Sequence, residues 1–271
     1  MDTKLKEGDF KRLVEFIHTN YGINLEKKRV LIEGRLSRIL PSKGFSNYTE
    51  YLDNVFADKS GAEIITLVNK LTTNHTFFMR EPAHFEYMKE VVLPFIEKNV
   101  KDKDARIWCA ASSTGEEPYT IAMIIDEYFG LRKKDWDLKI LATDISTDVL
   151  KKAKDGIYTE ESMSSLPADW KKKYFIKIDN DKYRVIDEIR QEVIYRQFNL
   201  MDKIVVKKPF DLIFCRNVMI YFDAETKNNL IERFYDVIKD DGYLFIGHAE
   251  NICKSSNFVY VKPAVYQKKN K

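Results

Sequence analysis

Three short stretches of this sequence carry the side chains best suited to chemistry. CAASSTGEEP, residues 109–118, reads as a strand running through a glycine turn into a helix, with Glu116 and Glu117 in the helix's first turn. ATDIS ends a second strand on Asp144, 29 residues after Gly115. FDLIFCRNVMIY, residues 210–221, ends a third on Arg216 and Asn217. In an open parallel sheet, ligands gather beyond the carboxyl ends of the strands, so these three ends are where a site is expected.

Each end constrains the ligand. A helix N-terminus presents free backbone N–H groups, but this turn has one Gly rather than Gly-x-Gly-x-x-Gly, and its two carboxylates would repel a pyrophosphate. A ligand with a cationic head suits them better; the plain alternative is a pair of carboxylates complementing the helix dipole. Asp144 is placed to accept hydrogen bonds from ribose hydroxyls. Its competing role, capping the next helix, is open to Ser146 as well. Cys215 reads as a buried strand residue.

Other clusters are less specific. LTTNHTFFMREPAHF, residues 71–85, joins two halves of the chain and sets Arg80 beside Phe77 and Phe78, at least one of which reads as a packing residue between the halves. Residues 27–43 hold six basic side chains against Glu33 alone. Lys28, Arg35 and Arg38 fall on one face by helical spacing, which makes either a solvated face or a docking surface for an acidic partner. His18, His75, His84 and His248 form no His-x-x-x-His pair, and Cys109, Cys215 and Cys253 form no Cys-x-x-Cys, so no metal site is expected. Trp108, Trp136 and Trp170 read as packing residues.

The elements that must position these groups follow from periodicity. The chain has 271 residues, 44% of them apolar, enough for one large or two modest domains. With 45 basic and 42 acidic residues it is no polycation. The start, MDTKLKEGDF, lacks an apolar run, and the apolar run DLIFCRNVMIYF is broken by Arg216 and too short to span a bilayer. A cytoplasmic protein without membrane insertion is therefore expected. Residues 1–72 read as helices, with Asp9 as a first cap, a second helix from Lys27 to Leu40 stopping at Pro41, and others over Tyr48–Phe56 and Ala62–Leu71. Residues 73–271 alternate strand and helix, which predicts an α/β fold on a parallel sheet, closed by a hairpin around Pro263. Residues 156–192 interrupt the rhythm as a small inserted β-subdomain, with a helix over Ala168–Tyr174 and two strands around DND.

In order and spacing, TTNHTFFMREPAHF, RIWCAASSTGEEPYTIAM, ATDIS, FDLIFCRNVMIYFD and GYLFIGHAEN resemble the CheR family of chemotaxis receptor methyltransferases. The resemblance runs over residues 8–268. It implies a Rossmann-like methyltransferase domain with an inserted β-subdomain, preceded by an all-helical domain. It implies an enzyme that converts receptor glutamates to γ-methyl esters, taking the methyl from S-adenosylmethionine and releasing S-adenosylhomocysteine. It also implies site residues: Asn74, Thr76, Arg80, Glu117, Asp144, Asn199, Leu200, Arg216 and Asn217 at the cofactor, and Arg80 and Tyr221 beside the transferring methyl. Lys28, Arg35 and Arg38 then face the receptor's methylation region, a sparser arginine cluster than family members often carry. FIKIDNDKYRVIDEIRQEVIYR lacks a Gly-rich loop, which argues against binding of a receptor's C-terminal pentapeptide tether.

Two alternatives compete with this reading. One is a methyltransferase for another carboxylate or for nucleic acid; nucleic acid is disfavoured, because no Pro-Pro-aromatic turn ends the Phe210–Cys215 strand and the net charge is only +3. A non-catalytic module that senses S-adenosylmethionine is disfavoured by the presence of both Arg80 and Tyr221.

Overall fold

The computed structural model describes residues 4–72, 74–253 and 256–269. They form two compact units: the N-terminal residues with Tyr221–Thr226, and Asn74–Ile220 with the chain from Lys227 onward. The sequence places residues 221–226 in the second domain, whereas in space they group with the first unit.

The first unit is helical. Helix α1 (Glu7–Tyr21) buries Leu13 and Ile17. Its cap is Lys6, not Asp9; Asp9 lies inside the helix, buried, and accepts a hydrogen bond from Thr49 Oγ1 at 2.6 Å. Gly22 ends α1 with φ at 69°, a left-handed conformation that suits Gly. The helix expected over Lys27–Leu40 is instead α2 (Arg29–Leu36) followed by α3 (Ile39–Ser42). Pro41 does not stop it, because in the first turn of α3 its missing N–H costs nothing. The backbone stays right-handed through Ser37 and Arg38 between the two helices. Helix α4 (Tyr48–Ala57) is capped by Asn47, whose side chain accepts from Glu50 N. Helix α5 (Ala62–Leu71) covers the span expected of it.

The second unit opens with α6 (Pro82–Tyr87), a π-turn over Met88–Val92, and α7 (Leu93–Asn99). Strand β1 (Ile107–Ala110), helix α8 (Glu116–Phe129), strand β2 (Ile140–Asp144) and helix α9 (Thr147–Asp155) follow. The insertion holds β3 (Ile157–Thr159), α10 (Ala168–Tyr174), β4 (Phe175–Asp179), β5 (Lys182–Val185) and α11 (Asp187–Arg190). It makes its own antiparallel sheet, ordered β3-β5-β4, one strand more than the two expected. Then come β6 (Val193–Gln197), β7 (Phe210–Cys215), α12 (Ala224–Val237), β8 (Ile238–Ile246) and the hairpin β9 (Phe258–Lys262) and β10 (Val265–Lys268).

Among the described residues the main sheet has seven strands, ordered β6-β2-β1-β7-β8-β10-β9. From β6 to β8 all pairs are parallel, and β10 is antiparallel to both its neighbours. Every residue of β1 and β7 is buried, as strands covered on both faces must be. The chain moves outward from β1 through β2 to β6, then crosses back to lay β7 on the other side of β1. That reversal opens a crevice at the carboxyl ends of β1 and β7. Phe78 is buried in the core of this unit, edge-on to Tyr158 and Phe175 at 4.8 and 5.6 Å.

Candidate functional site

The loop from β1 to α8 is held under strain. Ala111 and Ser113 have φ of 62° and 50°, and Gly115 follows at 98°. Met79 and Glu81, in the loop before α6, and Asn217, just after β7, also lie in the left-handed region. Non-Gly residues in that region cost on the order of 1–3 kcal/mol each and collect where function demands a fixed backbone. Five of them sit on three loops around the crevice between β1 and β7.

Two linked networks fix these loops. In the first, Ser113 N donates to Asp144 Oδ2 at 2.9 Å and Ser146 N to Asp144 Oδ1 at 2.9 Å. Ser113 Oγ donates to the Asn74 carbonyl at 3.2 Å. Asp144 is buried, which raises its pKa, while the backbone N–H groups of Ser146 and Ser113 work the other way. Phe198 N donates to the Asp144 carbonyl at 3.0 Å, tying the start of the Asn199–Leu200 turn to the end of β2. Within that turn Asn199 Oδ1 accepts from Met201 N at 3.0 Å, and Leu200 is buried. Ser146 caps α9 through Val149 N, which leaves Asp144 to bind the loop.

The second network centres on Arg216, whose side chain is 1% exposed. Its guanidinium donates to Glu117 Oε2 at 2.5 Å, to the Arg80 carbonyl, and to Glu81 Oε2 at 3.1 Å, and it lies over the Phe85 ring. Asn217 Nδ2 donates to Glu81 Oε1 at 3.1 Å. Burial would raise Glu81, but Arg216 and Asn217 outweigh it and hold the carboxyl below its ordinary range. Cys109 Sγ donates to the other oxygen of Glu117 at 3.1 Å; burial, then Glu117, pushes that thiol up. Arg216, expected at the cofactor, is shared between two carboxylates and fixes the backbone at Arg80. Glu117, expected to face a cation, is already half neutralised by Arg216.

Glu81 and Glu250 carry no role in the sequence reading, although both lie inside the motifs quoted there. Glu250 is buried and gathers three backbone N–H groups, of Gly247, Asn217 and Ile220, at 2.6, 3.0 and 3.2 Å. The available signal was an acidic residue in a turn between apolar strands, GHAEN, where a carboxylate is costly unless it binds backbone. Glu81, His84 and His248 offer donor atoms within 4.8 Å of one another, but Glu81 is already engaged by Arg216, Asn217 and His248 N.

The remaining expected residues are placed as follows. Thr76 lies in the irregular loop between Asn74 and Arg80, and Arg80 Nη1 reaches back to the His75 carbonyl at 2.8 Å. Tyr221, Lys28, Arg35 and Arg38 belong to the first unit. Lys28 and Arg38 are exposed. Arg35 is half-buried and caps α5, donating to the carbonyls of Leu71 and Thr72 at 2.5 and 3.0 Å.

Comparison with known proteins decides the family. The model for "CheR methyltransferase, SAM binding domain" matches residues 74–266, and that for "CheR methyltransferase, all-alpha domain" matches residues 8–72. The chain belongs to the CheR methyltransferase family. The Chemotaxis protein methyltransferase of Borreliella burgdorferi is 44% identical over 99% of this chain and 96% of its own length. Its namesake in Escherichia coli is 38% identical over 91% of this chain and 85% of its own. This CheR methyltransferase is thus an enzyme that uses S-adenosylmethionine. Its residues fit that cofactor. The β1–α8 loop holds its backbone open at the switch point of the sheet, and Asp144 keeps lone pairs beyond the two N–H groups it binds. Ser112 Oγ is buried in the same loop with no hydrogen-bond partner among the described residues.

Proposed function

We infer that this CheR methyltransferase works by placement alone, without a general base. It methylates glutamate side chains of chemoreceptors to γ-methyl esters. When bound, S-adenosylmethionine supplies an electrophilic methyl on a sulfonium, whose leaving group is a neutral thioether. A glutamate has an unperturbed pKa of about 4.3, so the accepting oxygen is already ionised at neutral pH. No proton has to move for the ester to form. What the chain must supply is orientation of a carboxylate oxygen in line with its target at about 3–3.5 Å.

The observation that carries this reading is that Glu81 and Glu117 are tied to a buried Arg216 beside a buried, neutral His84. Glu117 and Glu81 both bind the Arg216 guanidinium, and burial pushes the pKa of His84 down to about 3, which leaves the ring neutral. With so low a pKa, His84 is a weak base near pH 7. In this reading Asn74, Thr76, Arg80, Glu117, Asp144, Asn199, Leu200, Arg216 and Asn217 form the cofactor's surroundings. Asp144 accepts from the ribose, and Arg80 and Tyr221 place the reacting groups. Tyr221 fixes one lone pair of the substrate carboxylate. Lys28, Arg35 and Arg38 face the acidic methylation region of a receptor in the cytoplasm. Recognition rests on that region and not on a C-terminal tether: the turn between β4 and β5 is Asn180-Asp181, without Gly.

Tyr221→Phe tests the assignment. It removes a hydrogen bond to a charged group, worth about 1.5–3 kcal/mol, so kcat should fall roughly 10- to 150-fold while calorimetric affinity for the cofactor holds. The kcat profile should be flat between about pH 6 and 8. A limb near the unperturbed His pKa of about 6.5 that vanishes when His75, His84 or His248 is replaced would show that a base is needed.

A further inference from the structure

The segment that carries Tyr221 is held by the connection between α1 and α2. Asn24 N donates to the Tyr221 carbonyl at 2.8 Å. Ile23 and Phe222 form an isolated antiparallel bridge. One turn earlier, at the end of α1, His18 Nε2 meets Asp223 Oδ2. Asp223 uses its other oxygen to accept from Thr226 N at 2.8 Å, which starts α12. Three successive residues, 221 to 223, are thus each held by one of three residues of the first unit: 24, 23 and 18. The holding strand is itself braced. Gly22 turns it out of α1, and Asn24 Oδ1 accepts from Glu26 N at 3.1 Å in a local turn.

We propose that His18 is a positioning residue for methyl transfer, acting through Asp223 on the segment that bears Tyr221, so that the N-terminal unit sets the rate of reaction as well as the site of docking. This rests on the reading of Tyr221 above. The backbone bonds at Asn24 and Ile23 set the height of the segment, and they persist whatever side chains stand there. His18 with Asp223 is the one side-chain tie of the three, and it lies two residues beyond Tyr221. A side chain more than two-fifths exposed would contribute little to stability by being there. Its effect is therefore expected in the rate, where a misplacement of about 1 Å can cost up to 100-fold.

The test is a double-mutant cycle between His18→Ala and Tyr221→Phe, read as single-turnover rate, receptor KM and cofactor affinity. His18→Ala should lower the rate by about tenfold with cofactor affinity unmoved. His18→Gln, which can still donate to Asp223, should recover most of it. In the Tyr221→Phe background, His18→Ala should cost less than about twofold, because the group it positions is already gone. An undiminished rate in His18→Ala beside a slow Tyr221→Phe overturns this proposal alone. Equal losses from His18→Ala in both backgrounds also overturn it, since His18 would then act on something other than Tyr221. An undiminished rate in Tyr221→Phe overturns the reading of Tyr221 and this proposal with it.

Discussion

Arg216 carries three demands at once: it binds Glu117, it binds Glu81, and it holds the Arg80 carbonyl. A group so deeply buried cannot be read from its place in a motif, because Arg216 at a strand end looks the same whether it faces a ligand or the interior. Glu117 and Asp144 stood out in the sequence as carboxylates just beyond strand ends, and each is hydrogen-bonded into the fold, Glu117 to Arg216 and Asp144 to the N–H groups of Ser113 and Ser146. His84 shows how this interior shapes pH dependence. Burial, then the charge of Arg216, drives its pKa to about 3, against the opposing pull of Glu81, with His248 adding to the depression. In the unfolded chain the ring takes up a proton near pH 6.5 and in the folded chain only near 3. Between those values the unfolded state binds more protons, so stability falls as pH falls through that window. From pH 7 to pH 5 the loss due to His84 should be about 2 kcal/mol in urea titrations. His84→Gln should remove that slope, whatever it does to stability at pH 7.

At the scale of elements, the β1–α8 turn shows why one glycine suffices. A Cβ on Gly115 would come within 2.9 Å of Ala153 Cβ and of the hydroxyls of Tyr158 and Tyr195, and φ is 98°. Gly115→Ala should therefore destabilise by at least about 1–3 kcal/mol, from strain alone, and should weaken cofactor binding through the displaced loop. Thermal melts and calorimetry on the same variant would check both, and an unchanged melting temperature would contradict the crowding argument. Elements with strong periodicity and clear ends, such as Ala62–Leu71 and Ala168–Tyr174, were legible to the residue. The break between α2 and α3 was not, because Pro41 signals an end equally well whether it follows a helix or starts the next one. Strand β3 was missed because three residues carry too little pattern.

For the whole molecule, the basic face of the first unit divides by burial. Lys28→Ala with Arg38→Ala should raise the receptor KM roughly 2- to 30-fold, given about 0.2–1 kcal/mol for each exposed charge. The difference should shrink at high salt, where the screening length drops well below about 8 Å. Arg35→Ala should in addition lower the melting temperature, since it uncaps α5. Parallel receptor kinetics at low and high salt, with a melt for each variant, separate the two effects. Hydropathy pattern and charge marked two domains, but they could not show that residues 221–226 return to the first. The return depends on backbone pairing at Ile23 and Asn24, which any side chain allows. It also imposes an order on biosynthesis. A ribosome adds about 5–20 residues per second, so the stretch from 74 to 220 takes roughly 7–30 s to emerge. For that long the nascent helices wait without the strand that pairs with Ile23. The last piece of the N-terminal unit arrives only when most of the catalytic domain has already been translated.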